Sequence, residues 1–176
     1  MSFSQIGGGQ NERNKNFARF SDKNRKIIGI NFFGSGGVAH LRIEAWREII
    51  TELSSEFSEY NFIVFCPPNR EVECFGAPNV AIFKNNHDLL NLVAMSARLN
   101  ALISVDTGNI HIADNLQIPT LGIYTRKMAR RWRGGTYGGK FSQFIVADND
   151  RFATNDNKGD KDALLAFLVA EIPNML

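Results

Sequence analysis

Apolar positions along the chain follow two alternating rhythms. In the first, short stretches are apolar at nearly every position: Lys26–Phe33 (K-I-I-G-I-N-F-F), Asn61–Cys66, Val80–Phe83, Ala101–Val105, Thr120–Tyr124 and Gln143–Ala147. Each is long enough for a strand buried on both faces and too short for a helix. In the second rhythm, apolar residues recur every three to four positions. Trp46, Ile49, Ile50, Leu53 and Phe57 do so within Glu44–Phe57, with Glu and Arg on the opposite face. Asp88 can cap a helix from Leu89 to Leu99 with Leu89, Leu92, Val93 and Ser96 inward. A further helix is predicted over Asn109–Leu116 and a last one over Lys161–Glu171, with Leu164, Leu165 and Leu168 inward. Continuously apolar strands alternating with helices predict an α/β fold. Its sheet should be a Rossmann-like, doubly wound parallel sheet of about six strands, covered on both faces.

The same pattern divides the chain. Residues 1–25 are polar and basic with a Gly7-Gly8-Gly9 run, and read as a flexible leader or linker. Residues 26–147 hold the strands, and 148–160 form an Asn- and Asp-rich polar linker. Residues 161–176 carry a helix that packs on this domain or on a missing partner domain. At 176 residues with 44% hydrophobic content, one well-filled core is expected. A net charge of +2 argues neither for nor against nucleic acid. Cys66 and Cys74 form no CxxC pair and only three histidines accompany them, which argues against a metal site or a disulfide framework. No signal-peptide pattern or membrane-length apolar run is present, so the expected location is cytoplasmic.

Candidate chemistry concentrates in Ile103–Tyr124 (I-S-V-D-T-G-N-I-H-I-A-D-N-L-Q-I-P-T-L-G-I-Y). Here a strand runs through Asp106-Thr107-Gly108 into a helix whose first N–H groups form a ready anion site. Thr107 Oγ and the N–H groups of Gly108 and Asn109 can donate to a phosphate, and Asp106 either caps the helix or takes a hydroxyl. A capped helix without a ligand fits the motif equally well. His111, on the first turn and on the side of Thr107, either packs or points at the same anion. An aspartic-protease reading of Asp-Thr-Gly requires an all-β fold and a second copy of the motif, and the helix that follows argues against it.

Gly34-Ser35-Gly36-Gly37 ends the first strand. In a Rossmann-like order the first and fourth strands are neighbours, so this turn and 106–108 face one crevice. It lacks G-x-G-x-x-G and the P-loop Lys, and alone it is compatible with a plain strand-to-helix turn. Arg126, Lys127, Arg130, Arg131, Arg133 and Lys140 give residues 125–140 six basic groups and no acid, interleaved with Trp132 and Tyr137. This loop is either a solvated surface or the rim of the crevice, holding diphosphate, an anionic glycolipid or, without any binding-module motif, nucleic acid. Glu71 and Glu73 follow the second strand, as surface acids or as a ribose-binding carboxylate.

The segment from Val105 to Pro119 resembles the D-[ST]-G-x-x-H-[ILM]-A…P signature of the heptosyltransferase-type glycosyltransferases of glycosyltransferase family 9. It matches in Asp106, Thr107, Gly108, His111, Ala113 and Pro119. Weaker likenesses are E-A-W-R-E-I-I after the first strand and Gly134-Gly135-Thr136-Tyr137-Gly138-Gly139 after the fifth. The resemblance covers roughly residues 26–147 and is to the C-terminal domain of a two-domain GT-B enzyme.

That resemblance implies a domain that binds an ADP-heptose-like donor in lipopolysaccharide core synthesis, without cofactor or metal. It implies contacts to the donor diphosphate and sugar from Asp106, Thr107, Gly108 and His111, and from Gly34 and Ser35. His87 falls where the family packs a side chain on adenine, and Glu71, with Glu73 as alternative, matches the ribose acid. Two departures stand out. Val38-Ala39-His40 occupies the place of the family's lysine, which Arg42 or a basic-loop residue would replace. The acceptor site and catalytic base belong to the family's N-terminal domain, so the chain is expected to be incomplete as an enzyme. The alternative is a non-catalytic binding module for a nucleotide or phosphorylated ligand. Expected partners are the ADP-sugar, a lipopolysaccharide core acceptor at the inner membrane, and an N-terminal-domain chain or a second copy.

Overall fold

The computed structural model describes residues 24–34, 41–73, 75–130, 135, 136, 138–146 and 158–176. Six strands form one sheet: β1 (Ile27–Asn31), β2 (Asn61–Cys66), β3 (Val80–Lys84), β4 (Ala101–Val105), β5 (Thr120–Thr125) and β6 (Phe141–Val146). Their order is β3-β2-β1-β4-β5-β6 and every pairing is parallel. The order reverses between β1 and β4, which are neighbours and leave in opposite directions, so a crevice opens above their C-terminal ends. This is the Rossmann-like α/β sheet that the strand pattern predicts.

Alternation along each strand sorts the core into two layers. On one face Ile28, Ile30, Phe62, Val64, Ile103 and Ile123 pack with helix α1 (Ile43–Glu56) and helix α5 (Lys158–Met175). On the other, Ile63, Phe65 and Leu102 pack with Met95 of α2 (Leu89–Ser96) and Ala113 of α3 (Gly108–Asn115), together with Leu99 and Ile118. Trp46, Ile49, Ile50 and Leu53 are fully buried, as their spacing predicts. Leu164 and Leu168 are buried in the same layer as β1 and α1. Gly29 of β1 permits close contact: a Cβ there would lie 2.5 Å from Leu99 Cδ1 and 2.9 Å from the Phe65 ring.

Four elements depart from the expectation. Helix α2 follows the expected face only in part: Ser96 is buried and Leu92 packs on the core, but Asn91 and Met95 are buried too, while Leu89, expected inward, and Leu90 are 63% and 61% exposed. Apart from Asn91 and Ser96 its sequence is apolar, so spacing constrains its face only weakly, and Asn91 is accommodated by donating to Asn86 Oδ1 at 2.9 Å. The basic segment is not wholly a loop. A short helix, α4 (Arg126–Ala129), follows β5 directly, with Thr125 Oγ1 accepting from Met128 N at 3.3 Å. Helix α5 begins at Lys158, inside the stretch read as linker, and continues to Met175 past Pro173. Strand β6 starts two residues earlier than predicted, at Phe141, in register with Thr120. No helix among the described residues is long and apolar enough to cross a membrane.

Candidate functional site

At the switch point the C-terminal ends of β1, β2 and β4 enclose a cavity of about 240 Å³. One end is polar, lined by Asn31, Thr107, Gly108 and Asn109, with Gly34 beside them. The side toward β2 and β3 is mostly apolar, lined by Phe65, Pro67, Pro68 and Leu92 together with Cys66 and Asn85, and Phe33 follows β1. A cavity polar at one end and flat-walled and apolar at the other suits a molecule built the same way.

The polar end is organised by Thr107. It sits at extended dihedrals (φ −150°, ψ 168°) as the N-cap of α3, and its Oγ1 accepts from Asn109 N at 3.3 Å. This assigns the cap to Thr107 and leaves the Asp106 carboxylate for other contacts. Asn31 is 5% exposed and donates from Nδ2 to Thr107 Oγ1 at 2.9 Å and to Ser104 Oγ at 3.4 Å. Ser104 Oγ donates in turn to Val105 O at 2.7 Å. Gly108 opens the helix, and a Cβ placed there would meet nothing within 4 Å. Its φ is not left-handed either, so neither backbone geometry nor packing requires glycine there.

Asp106 is half-buried, and loss of solvent pushes its carboxyl above the ordinary range, while the nearby His111 pulls the other way. His111 is exposed on the first turn of α3. Neither lines the cavity itself; both stand at the same helix start. Burial pushes the Cys66 thiol up, partly opposed by Lys84, and its Sγ lies 3.3 Å from Arg70 O, so it is a packed thiol rather than a nucleophile.

Other predicted residues are placed apart from the cavity. Glu71 is exposed and paired with Lys84 at 2.6 Å, which holds its carboxyl below the ordinary range. Glu73 pairs with Arg47 of α1 at 2.8 Å. His87 is exposed, with a left-handed φ of 67°, in the turn between β3 and α2. Arg42, just ahead of α1, and Arg126 and Arg130, around α4, are exposed. Ser35, Arg131 and Arg133, and Val38-Ala39-His40, lie outside the described residues, as does the side chain of Lys127. Thr136 is tied to α3, because its N–H donates to the buried Asp114 carboxylate at 3.0 Å.

Sequence reasoning missed Asn31, Ser104 and Asn85. Two of them carried a signal: Asn31 and Ser104 are single polar residues near the C-terminal ends of otherwise apolar strands. Such a residue is buried and must find a partner, here the other strand's polar residue.

Comparison with known proteins names the family. Residues 2–159 match glycosyltransferase family 9 (heptosyltransferase), a wider span than the signature residues define. A Haemophilus influenzae protein that carries a provisional description as a glycosyltransferase is 25% identical over 119 residues, 62% of this chain and 34% of that one. Among solved structures, the fold is similar to Escherichia coli ADP-heptose LPS heptosyltransferase II, with a TM-score of 0.60 at 15% identity, covering 95% of this chain and 54% of that one. It is also similar to Escherichia coli heptosyltransferase WaaC with ADP, with a TM-score of 0.52 at 16% identity, covering 84% and 45%. The chain thus spans about half the length of those structures and a third of the curated relative. With its signature at the start of α3 and a family match over residues 2–159, the chain belongs to glycosyltransferase family 9, the heptosyltransferases.

Proposed function

We propose that this chain forms the donor-binding half of a glycosyltransferase that takes an ADP-activated sugar of the heptose type, in lipopolysaccharide core synthesis at the cytoplasmic face of the inner membrane. The observation that carries the reading is the shape of the switch-point cavity. Its polar end meets the N-terminus of α3 and Gly34, and its apolar end is walled by Phe33, Phe65 and Pro67. A nucleoside diphosphate has the same division, with anionic groups for the helix start and a flat base for the rings and prolines.

In this reading Thr107, Gly108 and the α3 N–H groups hold the diphosphate, with Gly34 and Ser35 opposite. His111 donates to it and carries a compensating charge when protonated. Asp106 accepts a sugar hydroxyl. Glu71 and His87 bracket the nucleoside, which requires Glu71 to exchange Lys84 for ribose. Arg126, Lys127, Arg130, Arg131 and Arg133 border the anionic acceptor. Transfer is inverting and metal-independent: a base outside this set removes the acceptor hydroxyl proton, the oxygen bonds the anomeric carbon, and ADP leaves with the electron pair of the broken C–O bond. The helix start and His111 stabilise the charge that ADP gains.

Titration calorimetry with ADP tests this. Binding should be detectable below millimolar concentration, and His111→Ala should weaken it by about tenfold, the scale of one charge-assisted hydrogen bond. Gly108→Gln should leave the melting curve near wild type and abolish binding, because its side chain would fill the open space at the helix start. Absence of ADP binding at millimolar concentration would sink the proposal. A second reading, a non-catalytic nucleotide or phosphorylated-ligand module, is favoured by Val38-Ala39-His40 where the family carries lysine. It predicts the same ADP binding without transfer when the chain is supplied with the family's N-terminal half.

A further inference from the structure

The Asn31 amide crosses from β1 to the start of α3 at the reversal of strand order. The register sets Asn31 beside Ser104 in the sheet, so both side chains leave the same face of adjacent strands. Its Nδ2 carries two N–H groups and has two hydroxyl acceptors, Thr107 Oγ1 at 2.9 Å and Ser104 Oγ at 3.4 Å. Bookkeeping of protons in this network is restrictive. A hydroxyl accepts at most two bonds and donates one. Thr107 Oγ1 already accepts from Asn31 Nδ2 and from Asn109 N. Its own proton is therefore the only hydrogen-bonding capacity it has left. Within the protein that proton can go to Ser104 Oγ, 3.2 Å away, whose own proton goes to Val105 O. An anion in the cavity offers a stronger acceptor for the same proton.

We propose that Asn31 is a positioning residue that fixes the Thr107 hydroxyl as a donor to the diphosphate of the bound nucleotide. The inference rests on the donor-binding reading above. Asn31 touches the ligand through Thr107: by filling the threonine's acceptor sites it leaves that hydroxyl unable to turn its lone pairs toward a phosphate, which would repel it. Burial makes the device effective. Asn31 is nearly solvent-free, so water does not substitute for either of its bonds at low cost. The arrangement also ties β1 to the start of α3 at the point where the two halves of the sheet diverge.

A double-mutant cycle on the full chain decides it, with ADP and inorganic pyrophosphate as titrants and adenosine as the anion-free control. Thr107→Val should weaken ADP by about tenfold, and Thr107→Ser, which keeps the hydroxyl, should restore it. Asn31→Ala should weaken ADP by about fivefold to tenfold in the wild-type background and by less than about twofold in the Thr107→Val background, because it acts through that hydroxyl. Asn31→Leu, which fills the volume, should reproduce the effect if the alanine variant melts too low to titrate. Equal losses in both backgrounds, or a lower melting temperature with unchanged affinity, would show a structural role and overturn the proposal. Should the wild type bind pyrophosphate but not ADP, the donor reading falls and the same cycle on pyrophosphate still decides Asn31. Binding of neither overturns both.

Discussion

Asp106 shows what the helix start costs as a folded structure. Its carboxyl is half-buried and titrates above its ordinary value of 3.8 because it has lost solvent. A folded-state value above the unfolded one means that folding favours the protonated form. Its contribution to stability is therefore complete below about pH 3.8 and is lost as pH rises through the folded value. Asp106→Asn holds the neutral form at every pH, so it should melt above wild type at pH 7, and the two curves should converge at pH 3. A variant that melts below wild type at pH 7 would mean that His111 outweighs desolvation. The signature was fully legible in the sequence, since Asp-Thr-Gly and His111 are local in the chain. The division of labour within it was not. Whether Asp106 or Thr107 caps α3 depends on the dihedrals at that turn, and Thr107 is also held by Asn31, a residue 76 positions away.

At the scale of elements, period alone identified every strand and four of the five helices among the described residues, and it chose the correct face wherever the pattern was amphipathic. Helix α1 buries Trp46, Ile49, Ile50 and Leu53, with Phe57 buried at its C-cap, as the spacing selects, because Glu and Arg occupy the other side. Helix α2 follows its spacing only in part, because Leu-Leu-Asn-Leu-Val-Ala-Met offers no polar face and neighbouring elements decide the rotation. Its exposed Leu89 and Leu90 are the result. Strand β1 makes a sharper statement. Gly29 is needed because Leu99 packs over it, so Gly29→Ala should cost about 1–3 kcal/mol, read as a lower denaturant midpoint at an unchanged slope. Leu99 alone could turn aside, but the Phe65 ring and Leu102, 2.9 and 3.2 Å from the added carbon, close the space. Trimming Leu99 to Ala in the same chain should recover part of the loss.

For the molecule as a whole, α5 belongs to the same hydrophobic layer as α1 and β1. Leu164 and Leu168 are fully buried there, Lys161 pairs with Glu48 of α1, and Glu171 accepts from Ser142 of β6 at 2.9 Å. Leu168→Ala should therefore cost about 2–5 kcal/mol in a denaturation series, as a core truncation does. An unchanged midpoint would place α5 outside the cooperative unit. The sequence by itself determined the strands, the longer helices, their parallel α/β arrangement and the strand-to-helix turn at Asp106-Thr107-Gly108, because each depends on residues close together in the chain. Only the tertiary structure decided which distant residues share the crevice. It brought Phe65, Pro67 and Leu92 to one end and Asn31 to the other, and it placed Glu71, Glu73 and His87 outside the lining. The physical reason is that strand order and register set these neighbours, and both are fixed by packing across the whole sheet rather than by any local pattern.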